Sequence, residues 1–112
     1  MAVNLSAGLR LATIPKEETT SSVVDLEGYR YVALILPQAF SGTKLTVEVA
    51  ATRYGPFVEL NDEEGNPVEI AVAQDAAVSL GKLLAPFRYV RFVSDAGGGE
   101  EADRALTLVL KA

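Results

Sequence analysis

Residues 43–52 read Thr-Lys-Leu-Thr-Val-Glu-Val-Ala-Ala-Thr, and this stretch indicates the fold class. Apolar side chains occupy every second position, and most of the positions between them are polar. The apolar set comprises Leu45, Val47, Val49 and Ala51. An alternation with a period of two residues is typical of a β-strand that has one face against a core and the other toward water.

The same alternation returns at residues 104–111, and shorter apolar runs separated by Gly, Pro, Asn and Asp lie in between. The extended segments predicted in this way are 9–14, 22–26, 29–36, 43–52, 57–60, 68–72, 76–80, 87–93 and 104–111. Residues 81–86 are predicted to form a single helical turn or an irregular crossing. Many short strands without a convincing amphipathic helix indicate an all-β fold. We expect an antiparallel β-sandwich of about eight or nine short strands with jelly-roll or related Greek-key topology, and an open barrel is the alternative.

The two faces of the sandwich are expected to differ. Residues 29–36 are apolar apart from Arg30, which predicts a central strand that is covered on both faces or has its outer face against a partner. The 43–52 strand instead has a polar outer face. One sheet should therefore have a polar, solvent-exposed outer face, and the other sheet an apolar outer face. The regular alternation of 104–111 predicts that this segment lies deep in a sheet.

Composition limits the function. The chain has 112 residues, a net charge of −5 and no Cys, His or Trp, so Ser-His-Asp and Cys-His sites are excluded within it. The acidic charge disfavours nucleic-acid binding. The first residues do not form a signal peptide, and the longest strongly apolar run, 31–36, is too short to span a membrane. We expect a soluble, non-enzymatic protein without cofactor or metal, with an N-terminal arm at 1–8 and one domain at 9–112.

Two acidic segments resemble ligand sites only superficially. Residues 61–67 contain clustered acids and a glycine, but the spacing does not fit a calcium-binding loop, so a solvated hairpin loop is expected. Glu100, Glu101 and Asp103 could form an acid–base pair with Asp62 or Glu63. Nothing in the sequence brings these groups together, and we expect all of them on flexible, water-exposed loops.

Seven residues are predicted to bind a partner. Arg53, Tyr54 and Phe57 lie at a break between strands, where they would stack on a sugar, anchor a protein or simply cap the end of the sandwich. Arg88 and Arg91 would bind an anionic partner or pair with nearby carboxylates. The apolar residues Val3 and Leu5 belong to the arm, and a neighbouring subunit would hold them in place.

The order of these segments resembles a known class of virion protein. The strand Leu-Thr-Val-Glu-Val-Ala-Ala at 45–51 is followed by Phe-Val-Glu-Leu at 57–60, and later by Phe-Arg-Tyr-Val-Arg-Phe-Val-Ser at 87–94 and a Gly-rich loop. This order is similar to that of small β-sandwich proteins of tailed bacteriophages, especially jelly-roll capsid decoration (cement) proteins. The resemblance implies a structural virion protein, made in the host cytoplasm, on the outer capsid surface. It also implies that the major capsid protein is the partner, and that the chain is a homo-oligomer at capsid symmetry axes.

A second resemblance leads to another function. The Tyr-Val-Arg-Phe element at 89–92 is similar to a strand of discoidin-type, sugar-binding jelly rolls. Those domains are usually longer, often contain cysteines and are often secreted, and this chain differs in all three respects. The alternative that it implies is a glycan- or host-surface-binding jelly-roll module of a phage particle.

Overall fold

The computed structural model describes residues 7–112, which contain nine β-strands and no helix. The strands are β1 (Gly8–Ile14), β2 (Val24–Asp25), β3 (Tyr31–Ile35), β4 (Lys44–Ala50), β5 (Val58–Glu59), β6 (Ile70–Ala71), β7 (Ala77–Gly81), β8 (Tyr89–Ser94) and β9 (Arg104–Lys111). Each strand overlaps one of the predicted segments. Residues 82–86 form consecutive turns, so the irregular crossing is correct and the helical turn is not.

The strands form two antiparallel sheets. The first sheet has the order β1-β9-β3-β7, and the second has the order β2-β8-β4-β5, with β6 also pairing with β4. Because β5 and β6 pair with different parts of β4, they act together as one interrupted edge strand. Counted in that way, the eight strands have the order of a jelly roll built from two Greek keys. The predicted β-sandwich is confirmed, and the open barrel is wrong.

The core lies between the two sheets and is built from the alternating side chains. Leu45 and Val47 of β4 and Leu108 of β9 are fully buried, each with 0% exposure. Complete burial of each such side chain contributes about 1.5–3 kcal/mol. Strand β9 pairs with β1 on one side and β3 on the other, which confirms its predicted place deep in a sheet.

The structure contradicts one of the two predictions for residues 29–36, the central strand covered on both faces. Only Tyr31–Ile35 forms a strand, and it alternates like the others, with Val32 and Leu34 buried in the core. On its outer side Tyr31 is 39% exposed and Ile35 is 45% exposed. The strand is therefore not covered on both faces, because no layer within residues 7–112 packs over the first sheet. Its outer face is apolar and open.

The strand register gives the sandwich two ends. At the end that we call the upper end lie segments 26–30, 51–57, 82–88 and 111–112, which adjoin the Tyr31, Gly81 and Tyr89 ends of their strands. At the opposite end, the lower end, lie segments 15–23, 36–43, 72–76 and 95–103. The connections at each end bring sequence-distant loops together.

The Gly-rich loop at the lower end is more ordered than its composition predicts. Glu100 was expected in water, but it is only 2% exposed and accepts hydrogen bonds from the Ser41 amide (3.0 Å), the Ser41 hydroxyl (2.7 Å) and Arg104 (3.2 Å). Asp95 accepts hydrogen bonds from the amides of Thr43 and Lys44 at 2.8 and 3.0 Å. The expectation of a flexible, fully solvated acidic loop is therefore wrong for Glu100.

The 61–67 loop matches its prediction. It is exposed throughout and is closed by a bridge between Asn61 and Pro67. The Asp62 carboxylate accepts hydrogen bonds from the backbone amides of Glu64 and Asn66, as a turn-forming aspartate does. No group of three potential metal ligands is found within residues 7–112.

Candidate interaction surfaces

The outer face of the first sheet forms a continuous apolar surface. The pairing register places Leu9, Val109 and Ala33 in one row across β1, β9 and β3, and Leu11 and Ile35 in the next row. Leu9 is 65% exposed and Leu11 is 62% exposed. We call this surface the apolar face, and its members are Leu9, Leu11, Tyr31, Ala33, Ile35 and Val109.

Charge is almost absent from the apolar face. The remaining positions in the same two rows are Ser79, Thr107 and Ala77. The charged neighbours lie beside Tyr31 at the upper end, where Lys111 pairs with it and the Lys82 ammonium lies near its ring. Four strands about 4.8 Å apart give this face an area on the order of 300–400 Å². Patches of that size are often functional in monomeric proteins.

The outer face of the second sheet is polar by comparison. Lys44, Thr46 and Glu48 of β4 point outward here, and Arg91 of β8 forms an ion pair with Glu48. The Arg91 guanidinium carbon also lies 4.3 Å from the centroid of the Phe57 ring. The two sheets therefore differ as expected: the outer face of the second sheet is polar and that of the first sheet is apolar.

Phe57 and Arg91, both predicted to bind a partner, contact each other within the sandwich. The stacked guanidinium covers one face of the Phe57 ring, and the ion pair with Glu48 occupies its Nε donor. This geometry agrees with the alternative interpretation of Arg91, in which the arginine pairs with a nearby carboxylate. Both side chains are partly exposed, so their predicted contact with a partner stays a prediction.

Arg88 is also held by an intramolecular carboxylate. It donates two hydrogen bonds to Asp25, at 2.9 and 3.1 Å, and its guanidinium lies 5.3 Å from the Tyr89 ring centroid. The hydrogen bond from Arg88 holds the pKa of Asp25 below its usual value and outweighs the effect of partial burial. The same pairing raises the pKa of Arg88. Arg88 therefore joins β2 to the upper end, again as its alternative interpretation predicted.

Arg53 and Tyr54 remain open to a partner. They lie on the 51–57 turn, where the Thr52 hydroxyl donates a hydrogen bond to the Gly55 carbonyl at 2.8 Å. Tyr54 is 92% exposed, so it does not cap the sandwich. An open hollow of about 480 Å³ lies beside it and is lined by Ala51, Thr52, Arg53, Tyr54, Arg88 and Tyr89.

Val3 and Leu5 lie outside the described residues. The chain is described from Ala7, whose carbonyl accepts a hydrogen bond from the Tyr29 hydroxyl at 3.0 Å. Gly8 packs so closely against that ring that an added Cβ would lie 2.8 Å from the hydroxyl oxygen. The described part of the chain therefore begins at the upper end of the sandwich.

Sequence reasoning did not select the residues of the apolar face individually. Leu9, Leu11 and Val109 occupy strand positions whose neighbours on both sides in the sequence are Arg, Gly or core residues. The sequence did contain one signal for this surface. Strand β9 has apolar residues on both of its faces, because Val109 lies on the outer face and the core leucines lie on the inner face. Assembly of these residues into one surface required the strand register.

No helix long and apolar enough to cross a membrane occurs in the part of the chain that the structure describes. No protein-family model matches the sequence, and no curated protein matches it either. Among solved structures, the chain is similar to the SPBc2 prophage-derived protein YomS, with 8% identity over 100% of both chains and a TM-score of 0.53. At this identity the likeness shows a shared fold.

Two other solved structures have lower scores. CENP-C of Drosophila melanogaster, in a structure bound to CAL1, has 10% identity over 99% of this chain and 68% of that one, with a TM-score of 0.47. The IMPa metallopeptidase of Pseudomonas aeruginosa has 15% identity over 100% of this chain and 13% of that one, with a TM-score of 0.48.

Proposed function

We propose that this chain is a capsid decoration (cement) protein of a tailed bacteriophage. It is a non-enzymatic virion protein, made in the host cytoplasm, that binds the outer surface of the major capsid protein shell and stabilises it. The apolar face is its principal contact with the major capsid protein. The N-terminal arm, with Val3 and Leu5, is a second contact.

The apolar face is the observation that carries this proposal. Leu9, Leu11 and Ile35 remain exposed on the outer side of the first sheet, and apolar patches of this size are often functional surfaces. Two further observations support a phage particle as the setting. The fold is shared over the full length with a prophage-derived protein, and the order of the strand motifs resembles that of decoration proteins.

The size of the apolar face suits a repeated, individually weak contact. An area of about 300–400 Å² per copy is well below the roughly 800 Å² per partner of a standard stable interface. Copies linked to one another on a symmetric shell would gain avidity that a single contact lacks. The expected behaviour is weak binding to isolated capsid protein and strong binding to the assembled shell.

The test uses expanded shells of the phage whose genome encodes the chain, prepared without this protein. Purified wild-type protein should co-sediment with the shells at saturating stoichiometry and raise their disruption temperature. Leu11→Lys places a charge in the apolar face and should abolish co-sedimentation, because the interface would then have to bury an unpaired ammonium group.

Val58→Lys provides the matched control. Val58 is an exposed apolar residue, at 59%, but it lies on β5 of the second sheet. This variant should bind shells as the wild type does. Failure of the wild type to bind the shells would refute the proposal. Equal loss of shell binding in Leu11→Lys and Val58→Lys would exclude the apolar face as the contact.

A separate observation supports a second candidate function. Tyr54 is exposed beside Arg53 and a hollow of about 480 Å³, which suits a sugar ring stacked on an aromatic side chain. This candidate is a glycan- or host-surface-binding module of a phage particle. Titration with host surface polysaccharide should then show saturable binding that Tyr54→Ala weakens at least tenfold. An unchanged affinity in Tyr54→Ala would exclude this site.

A further inference from the structure

Charge is separated between the two ends of the sandwich. The upper-end segments, 26–30, 51–57, 82–88 and 111–112, carry five basic side chains and one acidic side chain. The lower-end segments, 15–23, 36–43, 72–76 and 95–103, carry one basic side chain and seven acidic ones. The net charge of −5 therefore conceals a positive end and a strongly negative end.

The positive charge at the upper end is largely available. Arg88 is committed to Asp25, but within the described residues Arg30, Arg53 and Lys111 form no ion pair. Lys82 forms none there either, and its ammonium lies 5.5 Å from the centroid of the Tyr31 ring. Four cations are thus free to meet an external negative charge.

The upper end also has the composition of an interface. Tyr54, at 92% exposure, lies in its 51–57 segment and Tyr89 begins β8 there, whereas Tyr29 is buried in the core and Tyr31 belongs to the apolar face. Arginine and tyrosine are the residue types that most often dominate binding energy at protein interfaces. The lower end contains none of these tyrosines.

The negative charge at the lower end is divided between two roles. Glu100 is buried, and Asp95 and Asp103 accept hydrogen bonds from backbone amides of neighbouring loops. The remaining acidic residues are exposed and form no ion pair within the described residues. They are Glu17, Glu18, Asp75 and Glu101. Six carboxylates at the lower end are therefore exposed, and the four without an ion pair or a hydrogen bond to a neighbouring loop lie opposite in charge to the four available cations at the upper end.

We infer that the upper end of one copy binds the lower end of a second copy, so that the chain associates head to tail. Opposite charges on the two ends favour this contact and disfavour upper-to-upper and lower-to-lower pairing. A head-to-tail contact uses different surfaces on the two partners, so it repeats from copy to copy and forms a ring or an open row.

This contact leaves most of the apolar face uncovered, because only Tyr31 of that face borders the upper end and its other members lie on the side of the sandwich between the two ends. Association through the ends and docking through the apolar face can therefore occur together. The inference supplies the predicted homo-oligomer with a specific contact. It does not depend on the identity of the partner at the apolar face, so self-association can hold even if capsid binding fails.

The first measurement is sedimentation of wild-type protein at several salt concentrations. Self-association should be strongest at about 0.01 M salt, where the Debye length is about 30 Å, and should be lost toward 1 M, where it is about 3 Å. Association through the apolar face has the opposite signature, because burial of apolar surface is not screened by salt. A monomer at low salt, or association that persists at 1 M, would overturn the inference.

Charge reversal then tests the geometry. An upper-end variant, Arg30→Glu with Arg53→Glu, and a lower-end variant, Glu18→Lys with Glu101→Lys, should each self-associate at least tenfold more weakly than the wild type. An equimolar mixture of the two variants should associate again, since each contact in the mixture pairs opposite charges. A mixture that remains monomeric would contradict head-to-tail binding.

Glu63→Lys with Glu64→Lys is the matched control for the lower-end variant. It changes the net charge by the same amount, but on the 61–67 loop, which belongs to neither end. It should associate as the wild type does, and loss in this control would mean that total charge alone governs association. Retention of wild-type protein on heparin without self-association would assign the upper end to a polyanion instead and refute the inference.

Discussion

The carboxylate of Glu100 is bound by both the amide and the hydroxyl of Ser41, a residue 59 positions earlier in the chain. Burial alone would raise the pKa of Glu100, but the hydrogen bonds from Ser41 and the ion pair with Arg104 outweigh it, and the net pKa is lowered. The group is therefore charged in the folded protein at neutral pH. It joins the 36–43 and 95–103 loops at the lower end.

Removal of this carboxylate should destabilise the domain. Glu100→Ala leaves the Ser41 amide and hydroxyl and the Arg104 guanidinium without their acceptor, at an expected cost of about 1.5–3 kcal/mol. Urea unfolding monitored by circular dichroism measures the change. Glu101→Ala, an exposed neighbour, should stay within about 0.5 kcal/mol of the wild type. Equal effects of the two substitutions would show that the Ser41 contact contributes nothing.

The free energy of unfolding should decrease at acidic pH, partly because the Asp95 carboxylate becomes protonated. A hydrogen bond from the Thr43 hydroxyl, together with those from the backbone amides of Lys44 and Thr43, lowers the pKa of Asp95 to about 2. The unfolded chain has a pKa near 3.9, so the folded state favours the carboxylate, and this stabilisation is present above about pH 4 and lost as the pH falls toward 2. Asp95→Asn should therefore melt at a lower temperature than the wild type at pH 6.

The same comparison at low pH provides the check. Near pH 2 the carboxyl is about half protonated in the folded protein and almost fully protonated in the unfolded chain, so little of the stabilisation by the charged form remains and the difference in melting temperature between wild type and Asp95→Asn should become small. A difference that is equally large at pH 6 and at pH 2 would contradict the proposed role of the charged form of Asp95.

Two adjacent residues of β9 should respond differently to truncation. Leu108 is fully buried and Val109 faces outward, so Leu108→Ala should cost about 2–5 kcal/mol through lost burial and a cavity. Val109→Ala should change the free energy of unfolding by less than about 1 kcal/mol and should instead weaken binding to shells. Thermal unfolding and co-sedimentation of the two variants, measured side by side, separate the roles of the two positions.

Gly99 is expected to tolerate no side chain. Its φ is +82°, and an added Cβ would clash with the backbone carbonyl carbon of Glu17. Gly99→Ala must therefore move one of the two loops, with a backbone penalty of about 1–3 kcal/mol before the clash is counted. Gly97→Ala is the control, since a Cβ there meets nothing within 4 Å. Denaturation midpoints that coincide for both variants would rule out this close approach.

The strands were predictable because the alternation that produces them is local. Leu45 and Leu108 could be assigned to the core from their own neighbours in the sequence. The burial of Glu100 could not be predicted, since Ser41 becomes its partner only through the strand order of the sandwich. In the same way, Leu9 and Val109 join one surface only when the register of β1 and β9 is known.

The central position of β9 has a consequence for synthesis of the chain. This strand is the last of the nine to leave the ribosome, yet β1 and β3 can complete the first sheet only by pairing with it. A nascent chain that lacks residues 104–111 leaves β1 without its partner strand, β3 with one unpaired edge beside β7, and the core open. Formation of such distant pairs is slow. The native sandwich should therefore form only after translation has passed β9, and a product that stops short of it would be a substrate for chaperones and proteases.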